Sequence, residues 1–243
     1  MNLELITPSW PAPPNVHAAV STRHGGVSLP PYDSLNLGDH VGDDPAAVAE
    51  NRRRLREALS LPAEPRWLSQ VHGTCALDAA VAGERCEADA AFASRPAVVC
   101  AVLTADCLPL LLCDRAGTRV AAVHAGWRGL LEGVIEQTIA AMGTGGELLA
   151  WLGPAIGPAA FEVGDEVRAA FLVHAPEAHT AFSPSPNGRW LADIYALARQ
   201  RLQLAGVDAI YGGEHCTYSE AERFYSYRRD GVTGRMASLI WMG

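Results

Sequence analysis

"LTADCLPLLLCDRAGTRVAAVHAGWRG", residues 103–129, is the stretch on which the reading of this chain turns. Together with "AVVCAVLT" just upstream, its segments "LPLLLCD" and "RVAAVHAG" are near-continuous apolar runs, the pattern of strands covered on both faces. Two chemically active side chains, Cys107 and His124, stand where these runs begin and end. They are 17 positions apart, enough for one strand to run out and its neighbour to return, so both can meet at one sheet edge. After them "GLLEGVIEQTIAAM" has helical spacing and stops at Gly143, giving strand, glycine-rich turn, helix.

Working outward, "VHAAVS" predicts a strand, and "GDDPAAVAENRRRLREALSLP" a helix with Asp44 as cap, Pro45 at its first position and Val48, Leu55 and Leu59 on one face. "RWLSQVHG" reads as a strand that leaves Gln70 and His72 at its end. "LLAWLGPAIGP" supplies a further strand, and "VGDEVRAAFLVHAP" and "WLADIYALARQRLQLAG" two helices. "RFYSYRRDGVTGRMASLIWM" reads as two strand-like runs around Asp230-Gly231 and Gly234. Without repeats or a clear linker, the expectation is one domain, 1–243, of α/β (α+β) class, with layered mixed β-sheets flanked by helices.

Composition limits the partners. The chain has 243 residues, 49% of them hydrophobic, and a formal net charge of −8; its pI is near 5.4 and its mean hydropathy +0.06. That supports a folded core and argues against nucleic acid or an anionic membrane surface, leaving small molecules. The start, "MNLELITPSWPAPPNV", has no signal-peptide pattern, so the cytoplasm is the expected compartment, with six cysteines read as reduced.

A thiolate and neutral imidazoles are ligands zinc favours, and a catalytic zinc keeps three protein ligands and one open position. Cys107 and His124 supply two, and His72, ending its segment before Gly73, is the third candidate. The same residues also fit a metal-free Cys/His nucleophile pair oriented by Asp106 or Gln70, and spacing does not choose between the two. "STRHGGVS" sets Arg23 beside Gly25 and Gly26 as an anion site, and "SYRRDGVTGR" offers Arg228, Arg229 and Arg235 as another. Arg128 adds positive potential next to His124; Trp127 is a stacking platform or core, and Cys216 is expected in the same pocket.

The segments "STRHGGVS", "SLNLGDHVGDD", "NRRRL", "QVHGT", "TADCLPLLLCD", "VHAGWRG", "GPAIGPAAFEVGDEV", "CTY" and "YSYRRDGVTGR" follow one another here as they do in the YfiH-type laccase-domain family, also called multicopper polyphenol oxidase or peptidoglycan editing factor. The chain resembles that family from about Ser21 to Ala237. The resemblance implies a YfiH-like layered α/β domain and a zinc held by His72, Cys107 and His124. It also implies phosphorolysis of purine nucleosides (adenosine, inosine, guanosine, methylthioadenosine) with adenosine deaminase activity. Asp106 is then the nearest carboxylate for acid/base work, and Arg23, Arg52, Gln70, Arg128 and Arg228 are the substrate-binding candidates, in a monomer. Where the family often reads "YEVG", this chain has Phe161-Glu162-Val163-Gly164, expected to alter the pocket wall locally.

Two other readings are open. A copper-dependent phenol oxidase needs many histidines, commonly in His-x-His pairs, whereas this chain has eight and no such pair; copper can still enter a zinc site. A peptidoglycan editing factor would act on muramyl-peptide precursors or on the enzymes that make them.

Overall fold

The structure is a computed structural model that describes residues 3–81, 86–143 and 146–243. Its strands and helices run in the order β1 (Leu5–Ile6), β2 (Val16–Ser21), α1 (Pro45–Ala58), β3 (Ala76–Asp78), β4 (Ala90–Ala93), β5 (Val99–Thr104), β6 (Leu108–Asp114), β7 (Val120–Ala125), α2 (Trp127–Glu132), α3 (Val134–Met142) and β8 (Leu148–Leu152). There follow β9 (Glu162–Val163), α4 (Asp165–His174), a 3₁₀ turn (Pro176–Ala181), β10 (Phe182–Pro184), β11 (Trp190–Ala192), α5 (Ile194–Leu204), β12 (Ala209–Gly212), α6 (Tyr227–Asp230) and β13 (Met236–Met242).

The apolar runs are buried on both faces because two sheets stack. One sheet has the order β1-β2-β13-β5, and a six-stranded mixed sheet the order β12-β8-β6-β7-β4-β3. Alternation along the strands sorts the side chains into layers. Leu108, Leu110, Leu112, Ala121 and Val123 pack against Leu130, Ile135, Leu197 and other helix residues. Leu111, Cys113, Val120 and Ala122, of opposite parity, meet Cys100, Val102, Ile240 and Met242 from the other sheet. That sheet's outer face, Val99, Ala101, Leu103, Leu239 and Trp241, packs on Leu55 of α1 and on Leu35 and Leu37. The result is a four-layer helix–sheet–sheet–helix stack with a smaller β10-β11-β9 sheet beside it, in agreement with the expected layered mixed α/β class. Among the described residues no helix is long and apolar enough to cross a membrane.

The α1 signals act as read: the Asp44 side chain accepts from Ala46 N at 2.9 Å, and Pro45 opens the helix. Asn51, fully buried on its inner face, accepts from Val27 N and donates to Ser28 Oγ and Asn36 O, tying two loops to α1.

Four local readings are corrected. The segment 66–73 forms only isolated bridges, Arg66 with Cys100 and Ser69 with Glu87. Gln70 replaces the missing ladder with its side chain, accepting from Leu103 N at 2.7 Å and donating to Leu103 O at 2.8 Å. The helix after Gly129 breaks at Gly133, whose φ of 99° ends α2 before α3 starts. Residues 190–192 are strand β11, and the following helix begins only at Ile194, capped by Asp193. Of the two C-terminal runs only β13 is a strand; the first closes into the short helix α6, where the Ser226 side chain accepts from Arg229 N.

Candidate metal centre

Cys107 owes its position to a change of sheet. β5 belongs to the four-stranded sheet and β6 to the six-stranded one, so residues 105–107 cross between the layers, with Asp106 at φ 88°. In the β6–β7 ladder Leu108 pairs with Ala125 and Pro109 with His124, which brings Cys107 level with the end of β7. His72 arrives from the loop after Gln70 with φ 61°, a left-handed conformation unusual for a residue with a side chain.

One buried carboxylate stabilises that turn. Asp89 has no exposed surface and accepts from Val71 N (3.2 Å), His72 N (2.9 Å) and Gly73 N (2.7 Å). It also accepts from His124 Nδ1 at 2.8 Å, so the His124 Nε2 is the nitrogen left for a ligand. Asp89 was missed in the sequence, where it is a single acid between alanines; a carboxylate inside an apolar run must be partnered, and that was the available signal.

The three donors converge. The donor atoms of His72, Cys107 and His124 lie within 4.8 Å of one another, Cys107 Sγ is 3.8 Å from His72 Nε2, and the two imidazoles meet edge-on with centroids 4.8 Å apart. Gly126 keeps the space between them open: a Cβ there would lie 2.9 Å from His72 Cδ2, 3.1 Å from Cys107 Sγ and 3.6 Å from His124 Cε1. Desolvation opposes ionisation of Cys107, yet the His124 charge and both imidazole hydrogen bonds hold its thiol well below its usual range. Burial likewise opposes charge on His124, while Cys107 and Asp89 raise it. A thiolate, two imidazoles, a carboxylate behind one of them and an open fourth side fit a metal centre. Among the described residues this is the single such cluster.

A cavity of about 240 Å³, at the small end for ligand sites, opens beside His72 and Cys107. Trp127, Ile156, Phe161, Ile194 and Tyr227 form its apolar walls, with Ala105, Asp106, Arg128 and Arg228 completing it. Arg128 lies 4.3 Å from the Trp127 ring centroid and Arg228 5.7 Å from that of Phe161. Arg228 Nη1 also donates to Glu162 O. Asp106 lies in the wall with both oxygens engaged, one accepting from Thr217 Oγ1 at 2.7 Å and the other from Arg228 N at 2.6 Å.

Of the sequence candidates, the structure thus gathers His72, Cys107, His124, Asp106, Arg128 and Arg228. The others are placed elsewhere. Arg23 donates to Asp33 O and Ala221 O in a separate recess, and the Gly25 and Gly26 N–H groups expected to hold an anion are taken by Ser34 Oγ. Arg52 donates to Leu37 O and stacks on Trp67, and Gln70 is held by Leu103. Cys216 faces another recess, with Arg199 and His215.

A curated Pseudomonas aeruginosa protein named purine nucleoside phosphorylase is 59% identical, with 98% of each chain covered. The purine nucleoside phosphorylase YfiH of Escherichia coli K12 is 58% identical, covering 98% of this chain and 99% of that protein. The crystal structure of a Neisseria meningitidis protein superposes with TM-score 0.93 at 53% identity, 98% of each chain covered. YlmD of Geobacillus stearothermophilus does so with TM-score 0.88 at 34% identity, covering 94% of this chain and 92% of that one. Residues 17–243 match the family described as multi-copper polyphenol oxidoreductase laccase, and the chain belongs to that family.

Proposed function

We propose that this chain is a purine nucleoside phosphorylase whose metal, held by His72, Cys107 and His124, is zinc. The observation that carries this reading is the shared cavity: the three-donor cluster opens onto aromatic walls and two guanidinium groups, the equipment for a flat heterocycle and an oxyanion. The names of the Pseudomonas and Escherichia relatives support it.

In phosphorolysis a phosphate oxygen bonds to the ribose C1′ as the bond from C1′ to the base nitrogen breaks; the electron pair leaves with the base, which takes up a proton. Bound zinc supplies Lewis-acid charge stabilisation at the Cys107 end of the cavity. Trp127, Phe161 and Tyr227 offer faces for the base, and Arg128 and Arg228 supply positive charge for phosphate and for the oxygens where charge develops. Asp106 is a positioning residue: it fixes Thr217 and the start of α6 to the turn that carries Cys107. Adenosine deamination in the same cavity would need a carboxyl that exchanges protons, and Asp106 must release Thr217 or Arg228 to serve. A four-copper oxidase needs further histidine clusters, and among the described residues only this one is formed.

The test is turnover of inosine and adenosine by metal-quantified protein, with and without phosphate, following free base, ribose 1-phosphate and ammonia beside the His124→Ala variant. Phosphate-dependent base release that disappears in the variant is expected. Stoichiometric zinc without turnover would overturn the reading and direct attention to cell-wall precursors. Ammonia released from adenosine decides the deaminase activity.

A further inference from the structure

Arg235, like Arg128 and Arg228 of the cavity, is an arginine near the site with no carboxylate within ion-pair distance among the described residues. Elsewhere in the C-terminal segment Arg223 pairs with Glu4 and Glu220, and Arg229 with Asp230. Among the described residues no carboxylate lies within ion-pair distance of Arg235, and its only side-chain hydrogen bonds run from Nη1 to Thr233 O and Gly234 O, both 3.0 Å. Nε and Nη2 remain as open donors on a partly buried guanidinium.

The fold places that residue beside the loop that carries Cys107. β13 starts with Met236 opposite Thr104, so the register carries residue 235 to the level of Ala105, directly before Asp106 and Cys107. The guanidinium carbon lies 6.0 Å from the centroid of Tyr227, a residue of the cavity wall, as is Ala105. The backbone is held on both sides, Arg235 N donating to Asn36 Oδ1 and Arg235 O accepting from Leu37 N. Gly38 makes room for the stem: a Cβ there would come 2.8 Å from Arg235 Cγ. Burial lowers the Arg235 pKa, opposed by the negative charges of Cys107 and Asp106. The Asp106 oxygens are engaged by Thr217 Oγ1 and Arg228 N, so the guanidinium keeps open donors with no carboxylate in ion-pair contact, a condition in which it can take an oxyanion.

We propose that Arg235 holds inorganic phosphate, the attacking co-substrate, on the Cys107 side of the cavity. The assignment rests on the phosphorolysis reading and adds to it: Arg235 takes the phosphate together with the positive charge that Arg128 and Arg228 supply from the cavity wall.

The experiment titrates phosphate at saturating inosine with zinc-loaded wild-type protein, Arg235→Ala and Arg235→Gln, and in parallel measures how far inorganic phosphate alone raises the melting temperature. Losing a charge-assisted contact should raise KM for phosphate about tenfold or more with KM for inosine unchanged. Phosphate should raise the melting temperature of wild-type protein and of Arg115→Ala, a surface control at the far end of β6, but not of the Arg235 variants. An unaltered phosphate KM in the variants, or no phosphate-induced stabilisation of wild-type protein, overturns the proposal even if nucleosides are cleaved. Phosphate stabilisation that depends on Arg235, in a protein that cleaves no nucleoside, keeps the anion site and overturns phosphorolysis. Should Arg235→Ala not fold, Arg235→Gln, which keeps a donor toward the Thr233 and Gly234 carbonyls, carries the comparison.

Discussion

Asp89 and His124 are joined twice, His124 N to Asp89 O at 2.7 Å and His124 Nδ1 to Asp89 Oδ1 at 2.8 Å, while the same carboxylate collects three successive N–H groups of the His72 turn. One side chain therefore orients two of the three donors. Asp89→Asn keeps one acceptor oxygen but turns an N–H₂ toward donors. We expect metal affinity to fall roughly 10- to 100-fold, and stability to drop by about 1–3 kcal/mol, read by chelator competition and by denaturant unfolding of metal-free protein. Unchanged affinity would show that the His72 turn and the His124 ring hold their places without the carboxylate.

Gly126→Ala separates metal binding from folding. At φ −61° and ψ 155° an alanine is unstrained, so the backbone gives no reason for lost stability. Its Cβ would enter the space between His72 and Cys107. The expected result is metal content well below stoichiometric, with the metal-free melting temperature at or near wild type. Full zinc occupancy would mean that the donors bind without needing this gap.

Cys107 should be a thiolate at neutral pH. Its folded-state pKa lies below that of a free thiol, so the reactive form persists as pH falls from alkaline values and is lost only on acidification through the lowered pKa. Cys113 is pushed up to about 12 by burial and stays protonated. Alkylation of metal-free protein at neutral pH, mapped by mass spectrometry, should label Cys107 well before Cys113, and zinc should protect it. Equal labelling of both would contradict the electrostatic picture.

Gln70→Ala tests a structural role against a substrate-binding one. Its amide makes both hydrogen bonds to Leu103 at the open side of β5. The loss should cost about 1–3 kcal/mol of stability through the unsatisfied Leu103 groups, with KM for inosine and phosphate little changed. A large KM effect at wild-type stability would return Gln70 to the binding surface.

What could be read from the chain alone was local or periodic. The two-sided apolar runs specified covered strands, Asp44-Pro45 marked the start of α1, and the positions of Cys107 and His124 at strand ends anticipated their meeting. The strand read into 66–73 failed because its pairing partner is replaced by a single side-chain amide, which no propensity encodes. The tertiary structure alone decided which polar groups face each other across long separations: Asp89 with His124, and Thr217 with Asp106. The reason is physical. Strand and helix signals arise from neighbours along the chain, whereas the worth of a buried charge depends on partners that only the stacking of the two sheets and the loops between them brings within reach.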